Sequence, residues 1–214
     1  MAEGKGKGRG MGRGFAMAWP AEPAVPAWIW VVPLLGYLLG GVLPAEYLVR
    51  WRRGASPREL GDEPGTAGTW RQAGPAAGLA VFAFDFAKGL LPVALVDHLA
   101  GEGWWLVAAA AAPVAGHNWP LQRCLRPGGR GLASAIGATV YLAPGALIPA
   151  LLAGCVVALW RRRTPWVGIV GFPLGLAFML AGRLPGWRVL AAVAAMVTVG
   201  LRYLQWTRQR GRWI

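Results

Sequence analysis

Residues 75–99 read PAAGLAVFAFDFAKGLLPVALVDHL, an apolar run interrupted near its middle by one acid and one base, Asp85 and Lys88. About 20 apolar residues in a helix rising 1.5 Å each cover the roughly 30 Å of bilayer hydrocarbon, so this stretch is long enough to span a membrane. Desolvating either charge costs several kcal/mol in broad terms, so the two must face protein rather than lipid. Their i,i+3 spacing puts them on one face of the helix, within pairing distance.

Working outward, apolar blocks recur at 25–49, 103–120, 131–160 and 164–205, the last broken by Arg183, Pro185 and Arg188 into 164–182 and 188–205. Hydrophobic residues make up 56% of the 214 positions, charged ones 14%, and the mean hydropathy is +0.43, an unusual balance for a soluble domain. The block 131–160 carries Pro144 and Pro149 and can cross once, or fold back as two short helices.

Charge decides between these. If the block crosses twice, one face collects Arg50, Arg52, Arg53, Arg58, Arg71, Arg123, Arg126, Arg130, Arg161, Arg162, Arg163, Arg208, Arg210 and Arg212. The other holds Lys5, Lys7, Arg9, Arg13, Arg183 and Arg188; with a single crossing the asymmetry disappears. Excess Lys and Arg mark the cytoplasmic side. The expectation is therefore an all-α, polytopic membrane helix bundle of about seven transmembrane helices, some short, in the cell membrane. The N-terminus would lie outside, and the main basic loops and the C-terminus in the cytoplasm. Residues 1–23 read as a disordered, basic, Gly-rich tail, 24–206 as one transmembrane domain, and 207–214 as a basic cytoplasmic tail. Many of the Trp residues, among them Trp51, Trp105, Trp119, Trp160, Trp187 and Trp206, fall at span ends, where interface anchors sit.

The net charge of +13 calls for anionic partners. Short basic runs between spans, with no nucleic-acid motif, favour membrane and substrate phosphates over nucleic acid. Cys124 and Cys155 lack CxxC or His neighbours, so neither a disulfide framework nor a metal site is expected.

Three elements carry chemistry. Lys88 could bind a phosphate at the membrane edge with Asp85 orienting it; the competing reading is a structural pair locking two helices. The stretch GHNWPLQRCLRPGGRG, residues 116–131, sets His117 and Asn118 at the end of one span and Gly128, Gly129, Arg130 and Gly131 at the start of the next. Paired glycines allow backbone N–H groups to converge on an anion at a helix start, and Arg130 can add two parallel hydrogen bonds. The plain alternative is a basic cytoplasmic loop. The loop 50–74 mixes Arg50, Arg52, Arg53, Arg58 and Arg71 with PGTAGT, which could form an anion-binding turn with Thr66 and Thr69 as donors.

These motifs together resemble the bacterial acyl-phosphate:glycerol-3-phosphate acyltransferases, the PlsY family. The resemblance is carried in order by LLGGVLPAEYLV with RRGASPRELG, by PGTAGTWRQAGPAAG, by DFAKG, and by GHNWP followed by GGRGLASAIG, over roughly residues 33–145. It implies a seven-helix membrane fold with a site near the cytoplasmic face and neither metal nor cofactor. The reaction would transfer a fatty acyl group from acyl phosphate to glycerol 3-phosphate, giving 1-acylglycerol 3-phosphate and phosphate for phospholipid biosynthesis. The residues it points to are His117, Lys88 and Arg130 for catalysis, and Arg52, Arg53, Arg58, Asp85, Asn118, Gly128, Gly129, Gly131 and Ser134 for substrate. The hydroxyl proton could go to His117 or to the departing phosphate.

The chain departs from the family pattern at Gly41, where a serine is usual, at Pro127, where a lysine precedes the glycine pair, and at its C-terminal element. It also places Asp62 and Glu63 where Ser and Asn are usual, and acids there are expected to repel phosphate. A non-catalytic lipid-binding paralogue on the same fold, an acyltransferase with an altered acceptor, and a transporter or small channel are the other readings.

Overall fold

The computed structural model describes residues 24–210; the expected tail 1–23 and the last residues of the expected tail 207–214 lie outside them. The described residues form nine α-helices and two 3-10 turns. A 3-10 turn at Ala27–Trp30 leads into α1 (Val31–Gly40), and α2 (Pro44–Arg53) continues it after a break at 41–43. Together they form one apolar stretch long enough to cross a membrane. A loop and the short α3 (Thr66–Ala73) precede α4 (Pro75–Ala100), the helix of the opening stretch. Next come α5 (Trp104–Asn118), α6 (Leu132–Leu142), α7 (Pro144–Arg161), α8 (Trp166–Ala181) and α9 (Gly186–Arg210).

Block 131–160 is two helices, the second of the alternatives its prolines allow. Ala143 breaks it with a backbone that is neither helical nor extended (φ −155°, ψ 68°), and Pro144 starts α7 at a position where a missing N–H costs nothing. Pro44 and Pro75 open α2 and α4 in the same way. The helix α9 runs through Arg210, past the expected boundary at 206.

Small residues bring the helices together, which suits a lipid solvent in which apolar contact alone drives little association. Gly40 of α1 lies on the Pro113 backbone of α5, Gly89 of α4 on the Ser134 carbonyl of α6, and Gly154 of α7 on the Val167 carbonyl of α8. A Cβ at any of these would collide with backbone.

The loops sort to two ends. At the arginine-poor end Arg188 donates to Asp97 at 2.8 Å, to Glu102 at 2.8 Å and to the Leu142 carbonyl at 3.3 Å, tying α9 to α4, to the loop between α4 and α5, and to the end of α6. That end is therefore less positive than the residue count implies. Trp51 and Trp160 are 78% and 76% exposed, as interface anchors need, but Trp105 and Trp187 are buried and belong to the core, Trp187 edge-on to Trp104.

Candidate functional site

At the arginine-rich end the loops 54–65 and 119–131 fold over one another. Ser56 and Glu59 close a small turn, with the Ser56 N–H on the Glu59 carboxylate at 2.6 Å, which holds that carboxyl below its ordinary range. Arg58 reaches across to the second loop and donates to the carbonyls of Pro127 at 2.7 Å and Gly128 at 2.6 Å. From α9 the buried Arg202 donates to the Gly129 carbonyl at 3.1 Å. Two arginines, one from the first loop and one from α9, thus hold the carbonyls of one glycine pair.

The N–H groups of that pair are engaged as well. Gly128 donates to the Asn118 carbonyl at 2.7 Å and Gly129 to the His117 carbonyl at 3.1 Å. This corrects the expectation that they converge on an anion: they pin the loop back onto the end of α5. The glycines are needed for space, because a Cβ on Gly129 would strike the His117 imidazole and the Pro64 carbonyl. Gly131 caps α6 at φ 68°, in the left-handed region that suits glycine, with Asn118 Oδ1 filling the position of a side chain.

What remains for an anion is a cavity of about 770 Å³. Its polar end is walled by Thr66, Asp85, His117, Arg130 and the first residues of α3 and α6. Both helices start there, so their unpaired N–H groups and positive dipole ends favour a negative guest. The Thr66 hydroxyl is buried with no hydrogen-bond partner, whereas Thr69 is turned away and bonds the Gly65 carbonyl at 2.9 Å. The cavity continues as an apolar arm along Leu132, Ile136 and Val140 of α6 and Leu151, Leu152 and Cys155 of α7, with Arg162 and Arg163 at its edge.

Asp62 and Glu63, which the sequence placed against phosphate, line this cavity but are neutralised. Asp62 is ion-paired with Arg71 and accepts from Gln72 at 2.7 Å. Glu63 accepts from Arg58 at 3.1 Å and from the Trp206 indole at 3.1 Å, with Arg202 at 3.9 Å. Their charges hold the loop instead of facing a guest unopposed.

Lys88 takes a different place from the phosphate ligand expected. It is 1% exposed and does not line the cavity. Its ammonium donates to the carbonyls of Gly40 and Val42 at 2.9 Å each and is ion-paired with Asp85 at 2.8 Å. The carbonyls are those left open where α1 breaks, so Lys88 caps the break. The pair thus joins α4 to the end of α1, and the same Asp85 oxygen lies 3.5 Å from His117 Nδ1 at the cavity wall.

Among the other expected residues, Arg52 and Arg53 are exposed on α2 and do not line the cavity; Arg52 rests on the Trp51 ring. Arg58 acts on the loop and not on the cavity. Asn118 is buried and donates to the Thr198 carbonyl at 3.0 Å, tying α5 to α9. Ser134 is buried against α4. Sequence reasoning missed Arg202, Tyr203 and Trp206, which bring α9 to the site. A lone arginine inside the apolar run VTVGLRYL was a signal of the same kind as Lys88.

A family model described as glycerol-3-phosphate acyltransferase matches residues 29–210. The chain is 34% identical over 152 residues to glycerol-3-phosphate acyltransferase 4 of Dehalococcoides mccartyi strain CBDB1, covering 70% of this chain and 65% of that one. It therefore spans just under two thirds of that relative's length. Against the glycerol-3-phosphate acyltransferase of Azotobacter vinelandii it is 36% identical over 162 residues, 73% of this chain and 82% of the relative. The crystal structure of PlsY (YgiH), an integral membrane glycerol 3-phosphate acyltransferase, in its glycerol 3-phosphate form, superposes with a TM-score of 0.77 at 24% identity, over 87% of this chain and 94% of that one. That likeness shows a shared fold of an integral, multi-pass membrane protein. The chain, by the model match and these relatives, belongs to the glycerol-3-phosphate acyltransferase family.

Proposed function

We propose that this protein transfers a fatty acyl group from acyl phosphate to glycerol 3-phosphate. The observation that carries the reading is the two-part cavity: a polar end with Arg130, His117 and two helix starts, continuous with an apolar arm between α6 and α7. A phosphate suits the first and an acyl chain the second. Relatives named for this activity, and solved PlsY structures in glycerol 3-phosphate and lysophosphatidic acid forms, support it.

The donor is a mixed anhydride, already activated. The glycerol hydroxyl attacks the acyl carbonyl, the new ester C–O bond forms, the carbonyl–phosphate bond breaks, and inorganic phosphate leaves. The hydroxyl proton passes to His117 or to the departing phosphate. Arg130 and the starts of α3 and α6 neutralise phosphate charge, and holding both substrates in one cavity supplies much of the rate. Lys88, Asp85, Arg58 and Arg202 act by positioning. The arginine-rich end, with the site, faces the cytoplasm, and the N-terminus lies outside.

Phosphate release by purified protein given acyl phosphate, with and without glycerol 3-phosphate, tests the reaction. Release that depends on glycerol 3-phosphate and falls in Arg130→Ala is expected; release no greater than that of the variant refutes it. For orientation, Cys124 is exposed in the site-side loop. It should resist a membrane-impermeant maleimide in intact cells and react after permeabilisation.

A further inference from the structure

A second groove, of about 400 Å³, runs between α8 and α9 and meets the first cavity at Arg130 and Tyr203. Gly168 and Phe172 line it from α8, Val193 and Gly200 from α9. Arg130 is the only charged residue on its wall among the described residues, so its chemistry fits an apolar chain with an anionic head.

The two grooves differ in what they reach. Thr66, Asp85 and His117 wall the first and are absent from the second, so a lipid in the second has its head at the shared Arg130 but its chain away from Thr66, Asp85 and His117. Such a lipid is not the reacting donor. The donor also has its own lateral opening, because Ile148 and Leu152 line the first cavity and are 47% and 61% exposed. One lipid remains that needs a route past Arg130 without returning to His117.

We infer that the groove between α8 and α9 is the leaving site for the single-chain lipid phosphate made by transfer, its phosphate passing from the helix starts to Arg130 as its tail moves between α8 and α9. This rests on the acyltransferase reading above. With two tails served by separate grooves around one arginine, product departs while the next acyl phosphate loads.

Gly200 provides the test, because a Cβ there meets nothing within 4 Å and a larger side chain projects into open groove. Purified full-length protein is irradiated with 1-acylglycerol 3-phosphate carrying a diazirine in its chain. Label on α8 and α9 peptides is expected, and its loss in Gly200→Trp. In turnover the same variant should show product inhibition weakened by about tenfold, with KM for acyl phosphate unchanged. Label confined to α6 and α7, equal labelling of α8 and α9 by an uncharged monoacylglycerol probe, or a matching rise in acyl phosphate KM would each overturn the assignment. Labelling needs no turnover, so inactive protein that still labels on α8 and α9 would refute the acyltransferase reading and leave the lipid-phosphate groove standing.

Discussion

Arg202, in the C-terminal half of the last helix, donates its Nε–H to the carbonyl of Gly129 at 3.1 Å, across 73 positions of sequence. That contact fixes the height of the glycine pair above the cavity, and with it the residue that follows, Arg130. A hydrogen bond from a charged group contributes about 1.5–3 kcal/mol. Replacing Arg202 by Met should therefore lower kcat/KM by roughly tenfold or more, at 1.4 kcal/mol per factor of ten. Arg202→Lys should restore part of it. Equal rates in wild type and Arg202→Met would show that the loop holds itself.

Lys88 and Asp85 form a buried pair, so removing one partner leaves the other charge without compensation, at a cost of about 3–5 kcal/mol. Lys88→Met should lower the unfolding midpoint in detergent sharply. The double variant Lys88→Met/Asp85→Asn should recover much of the loss, since the stranded charge is gone. Additive effects in that cycle would contradict the pairing.

Gly129→Ala places a methyl group against the His117 imidazole and the Pro64 carbonyl. Acyl transfer should fall by at least an order of magnitude, in keeping with displacement of a positioned group. Gly145→Ala, where a Cβ meets nothing, is the matched control and should retain wild-type rate and stability.

Thr66 presents a buried hydroxyl without a hydrogen-bond partner at the start of α3. Thr66→Val keeps the shape and removes the donor. The KM for glycerol 3-phosphate, or for acyl phosphate, should rise by about tenfold if that hydroxyl meets a substrate phosphate. Unchanged values for both would remove Thr66 from the site.

Asp62→Asn separates two views of the acids. If the carboxylate repelled phosphate, the variant would bind substrate more tightly. Because Asp62 holds Arg71 and Gln72, the expected result is no gain in KM and a loop more readily cut by protease.

Much of this was legible in sequence wherever the signal is local or additive. Span length located α4, the arginine asymmetry favoured two helices over one in block 131–160, and the helix-start composition pointed to Arg130. What escaped was the use made of each polar group, because that depends on partners far along the chain. The N–H groups of Gly128 and Gly129 read as open to an anion until α5 supplies the carbonyls of His117 and Asn118. Lys88 read as a ligand because the break at 41–43, whose carbonyls it caps, has no strong local mark beyond Gly40-Gly41 and Pro44. Asp62 and Glu63 read as repulsive because Arg71, Arg58 and Trp206 neutralise them only once three elements meet.

The shortness of α6 has a consequence for depth. From Leu132 to Leu142 it is about 17 Å long at 1.5 Å per residue, against roughly 30 Å of hydrocarbon. Its far end is held by Arg188 at the arginine-poor end, so its near end, which Arg130 and Gly131 precede, leaves much of that thickness uncovered on the arginine-rich side. On the proposed reading, the cavity beside Arg130 is thus a well sunk below the level of the headgroups. On the proposed acyltransferase reading, the water-soluble acceptor would come down into it from the arginine-rich end, and the amphiphilic donor would enter sideways at the depth of its own tail.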